Sequence, residues 1–92
     1  MPALTLEEAQ NRLAGLPEWC IESGELTRTF VFKDFVAALG FVNRIGQAAE
    51  AAGHHPDIDI RYNKVRLNLV THDAGGLTGK DFDLASKANT LA

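Results

Sequence analysis

Leu6, Ala9, Leu13 and Leu16 recur at helical spacing near the start of the chain. Thr5-Leu-Glu-Glu8 precedes them as a capping box, in which Thr5 accepts from the backbone N–H of residue 8 and Glu8 reaches back. Gly15 and Pro17 stop the pattern, so a helix is predicted over 6–14. Glu18 to Glu22 reads as a short strand with Trp19 and Ile21 on one face, and Ser23-Gly24 is a turn signal. Leu26 to Phe32, rich in Thr, Phe and Val, completes an antiparallel hairpin. Asp34 is a good N-cap for the longest helix, predicted to end at Ala52 with Gly53 as its stop. That helix carries two apolar stripes: Phe35, Leu39 and Val42, then Ala38, Phe41, Ile45, Ala48 and Ala52. A surface helix of a monomer shows one stripe. The excess predicts that the second stripe is buried by another subunit.

Asp57 to Tyr62 alternates polar and apolar, with Ile58 and Ile60 expected inward. Asn63-Lys64 reads as a two-residue turn, Asn tolerating positive φ. Val65, Leu67 and Leu69 alternate along the next strand, which ends at Thr71. Thr78 then caps a last helix with Asp81 as its capping-box partner. Leu77, Phe82, Leu84, Ala85, Ala88 and Leu91 supply its buried positions. The order α-β-β-α-β-β-α predicts an α+β fold, a four-stranded, mostly antiparallel sheet with three helices packed on one face.

The 92 residues, 46% apolar, suit one small domain over 1–92. Cys20 is the single cysteine, so no intramolecular disulfide is expected, which suits a reducing cytoplasm. It reads as a strand residue, since nothing nearby in sequence makes it an activated thiol. A net charge of −3 without a run of Lys or Arg gives no reason to expect nucleic-acid binding. The first residues carry no basic region followed by an apolar one, and no apolar run approaches the roughly 18 residues that span a bilayer. A soluble, cytoplasmic protein without a membrane partner is expected.

All three histidines fall between Glu50 and Asp81. The tight hairpin brings the start of one strand beside the end of the other, so His54-His55-Pro56 meets Thr71-His72-Asp73. Histidine exchanges protons near neutral pH. The three side chains read as acid–base groups, as zinc ligands, or as incidental surface residues. Adjacent side chains seldom point to one metal, and no His-x-His or His-x-x-x-His pair occurs, so no metal is expected. Glu50, one helical turn before His54, either orients a histidine as an accepting carboxylate or is an exposed helix residue. Asp81 reads as structural first, a cap whose effect on the site is indirect. Tyr62 either packs under the site or is a half-buried strand aromatic. Trp19 is equally a wall for a flat ligand or a core or interface residue.

The spacing Glu50, three residues, His54-His55-Pro56, five residues, Tyr62, nine residues, His72, eight residues, Asp81 resembles the signature of the pterin-4a-carbinolamine dehydratases. Animal members are also known as the dimerization cofactor of hepatocyte nuclear factor. The resemblance covers nearly the whole chain. It implies the dehydration of 4a-hydroxytetrahydropterin to quinonoid dihydropterin and water, which recycles the pterin cofactor of aromatic amino acid hydroxylases. Both proton transfers run near neutral pH and need no cofactor, so none is expected. On this resemblance His55 leads as general acid–base, and His54 and His72 hold the 4a-hydroxyl as second acid or base. Pro56 and the backbone from Thr71 through Asp73 to Ala74 border the pterin, with Asp73 either accepting from its 2-amino group or standing as a solvated loop carboxylate. The resemblance also implies tetramers, built as a dimer of dimers through a helical bundle, and a link to a phenylalanine hydroxylase. An interaction module that binds a protein partner through the long helix is the alternative.

Overall fold

The computed structural model describes residues 2–92. Thr5 opens α1 (Leu6–Leu13) through the expected reciprocal bonds with Glu8. The first hairpin pairs β1 (Cys20–Glu22) with β2 (Glu25–Val31) around Ser23 and Gly24, both at positive φ. Asp34 caps α2 (Phe35–Ala52) by accepting from Ala37 N–H at 2.8 Å. A second hairpin, β3 (Asp57–Arg61) and β4 (Lys64–Leu69), leads through a short 3₁₀ turn at His72–Ala74 to α3 (Gly79–Leu91). The predicted bounds differ from these by a residue or two at most ends.

The sheet order is β1-β2-β4-β3, and every pairing is antiparallel. Register puts Leu26 opposite Leu69 and Phe30 opposite Val65, so these side chains share one face. That face is the core. Phe41 and Ile45 of α2 and Leu84 and Ala88 of α3 close on it, with the Phe30 and Phe41 rings 4.7 Å apart. The opposite face carries Thr29, Arg66 and Asn68, so the helices have only one apolar face to cover.

Three expectations change. The stripe of α2 that sinks into its own core is Ala38, Phe41 and Ile45, joined by Ala49, while Ala48 is half-buried and Ala52 exposed. Of the other stripe Phe35 and Leu39 are left bare, with Val36 beside them at 77% exposure, while Val42 is half-buried against the core. The sheet offers the helices a single apolar face, so only one stripe of α2 is covered by its own chain. Ile58 lies on the core face, opposite Leu67, yet stays 37% exposed because β3 is an edge strand, while Ile60 is half-buried. The second turn falls on Tyr62-Asn63, one residue earlier than predicted. Tyr62 takes the positive φ of 52°, while the Asn63 side chain donates to Phe32 O at 2.8 Å. That side-chain bond fixes Asn63 where it is and leaves the strained position to its neighbour.

Candidate active site

Asp57 pairs with Asn68, so residues 54–56 and 70–72 leave the second hairpin at the same end. Gly53 aims the first of these segments. It ends α2 at φ 64°, a conformation that side-chain-bearing residues resist. His54 N–H then bonds Ala49 O at 3.1 Å and Gly53 N–H bonds Glu50 O at 3.2 Å, the two bonds of a Schellman motif. The second segment is aimed by Thr71, whose N–H and C=O both pair with Gly76 and close the loop between.

The result is a cleft of about 240 Å³ that His54, His55 and His72 share with Thr71, Asp73, Gly53, Val70 and Lys80. Two of the imidazoles each meet a carboxylate, in opposite surroundings. His54 Nε2 lies 2.5 Å from Asp81 Oδ1, with the side chains 11% and 0% exposed. His55 Nε2 lies 2.6 Å from Glu50 Oε1, with both groups mostly in solvent. An ionised carboxylate only accepts, so each of these ring nitrogens donates. In each pair Nδ1 is left without a protein partner among the described residues. Among the described residues, no group of three His, Cys, Asp or Glu side chains is arranged to hold a metal ion.

Asp81 does far more here than close a capping box. Its Oδ2 accepts from Thr78 N–H at 2.9 Å, as a cap requires, and from the Thr71 hydroxyl at 2.8 Å. Its Oδ1 takes His54. Nothing in the local pattern around residue 81 announces a partner 27 positions earlier. Lys80 also borders the cleft and passed unnoticed in the sequence, because a lone Lys on a helix reads as solvated surface. Glu50 is exposed yet bonded to His55, so the orienting carboxylate and the exposed residue are one and the same.

Trp19 and Tyr62 stand apart from the cleft. Trp19 is buried in the core, edge-on to Phe30 at 5.9 Å, and its indole N–H donates to Asn89 Oδ1 at 2.8 Å. Asn89 lies eight residues beyond Asp81, about 12 Å along α3 at 1.5 Å per residue. Tyr62 is 67% exposed at the turn, the opposite end of the hairpin from the histidines. Pro56 is half-buried and leads into β3. The segment after Thr71 is a 3₁₀ turn instead of an extended strand end. Ala74 N–H is already taken by Thr71 O at 3.0 Å. The N–H groups of His72 and Asp73 meet no backbone acceptor among the described residues.

A His–Asp pair with a fully buried carboxylate, an exposed His–Glu pair and a third histidine meet at one small cleft on an α+β scaffold, side chains of a type that can give and take protons. Residues 2–91 match the model of the pterin 4 alpha carbinolamine dehydratase family. The chain is 57% identical to a protein of Acidobacterium capsulatum and 58% identical to one of Chloroflexus aurantiacus, each over 91 residues. Both relatives are named for the same dehydratase and are covered over 99% and 98% of their length. A solved structure from Brucella melitensis, described as a transcriptional coactivator/pterin dehydratase, superposes with a TM-score of 0.94 at 37% identity, covering 98% of both chains. A pterin dehydratase-like protein identified as a RuBisCO assembly factor in the alpha-carboxysome shares the fold, with a TM-score of 0.66 at 20% identity, over 80% of this chain and 86% of that one. The chain belongs to the pterin 4 alpha carbinolamine dehydratase family, whose members are hydro-lyases.

Proposed function

We propose that this protein dehydrates a 4a-hydroxytetrahydropterin by histidine acid–base catalysis. The observation that carries the reading is the meeting of three imidazoles at one cleft, two of them bonded to carboxylates. In the reaction the C4a–O bond breaks and the hydroxyl leaves as water after taking a proton. The N5 proton goes to a base as the C4a=N5 double bond forms. Atoms and electrons balance without an oxidant, a reductant or a nucleophile. His55, the solvent-facing member with Glu50 behind it, leads as general acid–base and exchanges its proton with water. His54, with its proton tied to Asp81, offers Nδ1 as the second base, and His72 holds the hydroxyl. The Asp73 carboxylate and the N–H groups of His72 and Asp73 face the flat pterin edge.

The product is a quinonoid dihydropterin, so the reaction suits recycling of the cofactor of an aromatic amino acid hydroxylase in the cytoplasm. Among the described residues no helix is long and apolar enough to cross a membrane. The bare face of α2 supports self-association. Phe35, Val36 and Leu39 are exposed there, and Gly46 lies seven residues beyond Leu39 on the same side. A glycine inside a helix costs about 0.5–1 kcal/mol relative to Ala. A Cβ at Gly46 would meet nothing within 4 Å in its own chain, so close approach of a second α2 accounts for it. Sedimentation equilibrium reads this directly, with a dimer or tetramer expected and a monomer at micromolar concentration opposing it.

Replacing His55 by Ala tests the catalytic assignment. A positioned acid–base group contributes about 10²- to 10⁴-fold, and the variant is expected to lose that in kcat while KM changes little. An unchanged kcat removes His55 from the reaction.

A further inference from the structure

The hydroxyl of Thr71 is bonded into the interior, where it meets Asp81 and Thr78. Hydrogen-bond direction along this chain follows from the carboxylate, which accepts only. Thr71 therefore gives its single hydroxyl proton to Asp81 Oδ2. The 2.8 Å contact between the two threonine hydroxyls is then donated by Thr78. Thr78 Oγ1 itself accepts from Lys80 N–H at 3.3 Å. On the other oxygen of Asp81, His54 must present an N–H from Nε2. Every proton in the chain points toward the carboxylate, so in the neutral imidazole of His54 the proton sits on Nε2 and Nδ1 is bare. Among the described residues no buried side-chain N or O atom lacks a partner. Nδ1 of His54, which has none, therefore opens to solvent.

We infer that the Thr71 side chain is a positioning residue for the reaction. It occupies Oδ2 of Asp81, turns Oδ1 toward the imidazole and so holds His54 with its proton on Nε2. A purely structural role is the weaker explanation, because the Thr71–Gly76 backbone pair already closes the loop without the hydroxyl. The inference rests on the reading above that His54 takes part in the dehydration.

The test combines ¹⁵N-histidine NMR of the free protein with steady-state kinetics on Thr71→Val, Thr71→Ala and Thr71→Ser. In Thr71→Val the His54 nitrogens are expected to leave the Nε2–H pattern for a mixture of tautomers. Its kcat is expected to fall about tenfold, the scale at which supporting hydrogen bonds behind a functional histidine matter, with KM held within about twofold. Thr71→Ser restores both signals and rate. Thr71→Ala follows the Val variant and stands in for it should Val not fold. Unchanged His54 signals in the Val and Ala variants overturn the inference, and so do shifted signals at full kcat. A His54→Gln variant with wild-type kcat is a different failure: it removes the reading on which the inference rests.

Discussion

The chain contains the same helix-start device twice, and the two copies have different fates. Thr5 and Glu8 bond each other at the head of α1, on the surface. Thr78 and Asp81 do so at the head of α3, where both are fully buried. At α1 the acidic partner has nothing else to do, and its carboxyl stays in water. At α3 the carboxylate is cut off from water, so its two oxygens need protein donors besides the Thr78 N–H. Thr71 and His54 are those donors. Burial thus turns a local capping residue into the point where loop, helix and cleft are joined. A capping pattern by itself says only where a helix starts; its surroundings decide what else it holds.

Substitution at the buried box should have the largest effect. Asp81→Asn keeps the size of the side chain but removes the charge and puts an N–H₂ where an acceptor stood. It should lower kcat by about 10²-fold or more, since His54 loses the group that sets its tautomer. Stability to urea should fall by about 2–3 kcal/mol, the scale of a hydrogen bond to a charged group lost in the interior. Full activity in Asp81→Asn would make the two boxes equivalent and end the comparison.

The surface box should matter modestly and only for stability. Thr5→Ala removes an N-cap and should cost about 1 kcal/mol in urea denaturation, with kcat unchanged. A measurable loss of kcat there would show that α1 reaches the site.

The smallest effect is a pH dependence. The Thr5 backbone N–H, and then its hydroxyl, hold the Glu8 carboxyl below its ordinary value of 4.5. A lowered carboxylate pKa stabilises the fold at pH values above the unfolded-state value and stops doing so as pH falls through the folded one. The stability difference between wild type and Glu8→Gln should therefore be present near neutral pH and shrink as the pH is taken below the ordinary Glu value. A difference that grows on acidification would contradict this sign.

What could be read ahead of the structure follows the range of the interactions. Both boxes, Asp34 as a cap and Gly53 as a stop rest on contacts within four residues, and each is found where the pattern places it. The meeting of His54 and His55 with His72 was also readable, because a tight hairpin carries register from its turn to its open end. Long-range packing was not. Both stripes of α2 are apolar, and their pattern does not say which of them the sheet covers. Ile58 alternates correctly but sits on an edge strand. Trp19 finds Asn89 seventy residues later and is thereby committed to the core. The second role of Asp81 belongs with these, since a capping box has the same residues whether it is wet or dry.

The most direct measurement is the dehydration rate of 4a-hydroxytetrahydropterin, generated in place by a pterin-dependent hydroxylase and followed by ultraviolet absorbance. Acceleration well above the spontaneous reaction, lost in both His55→Ala and Asp81→Asn while Thr5→Ala keeps it, is the predicted result. A folded protein that leaves the spontaneous rate unchanged would contradict the account and turn attention to the bare face of α2.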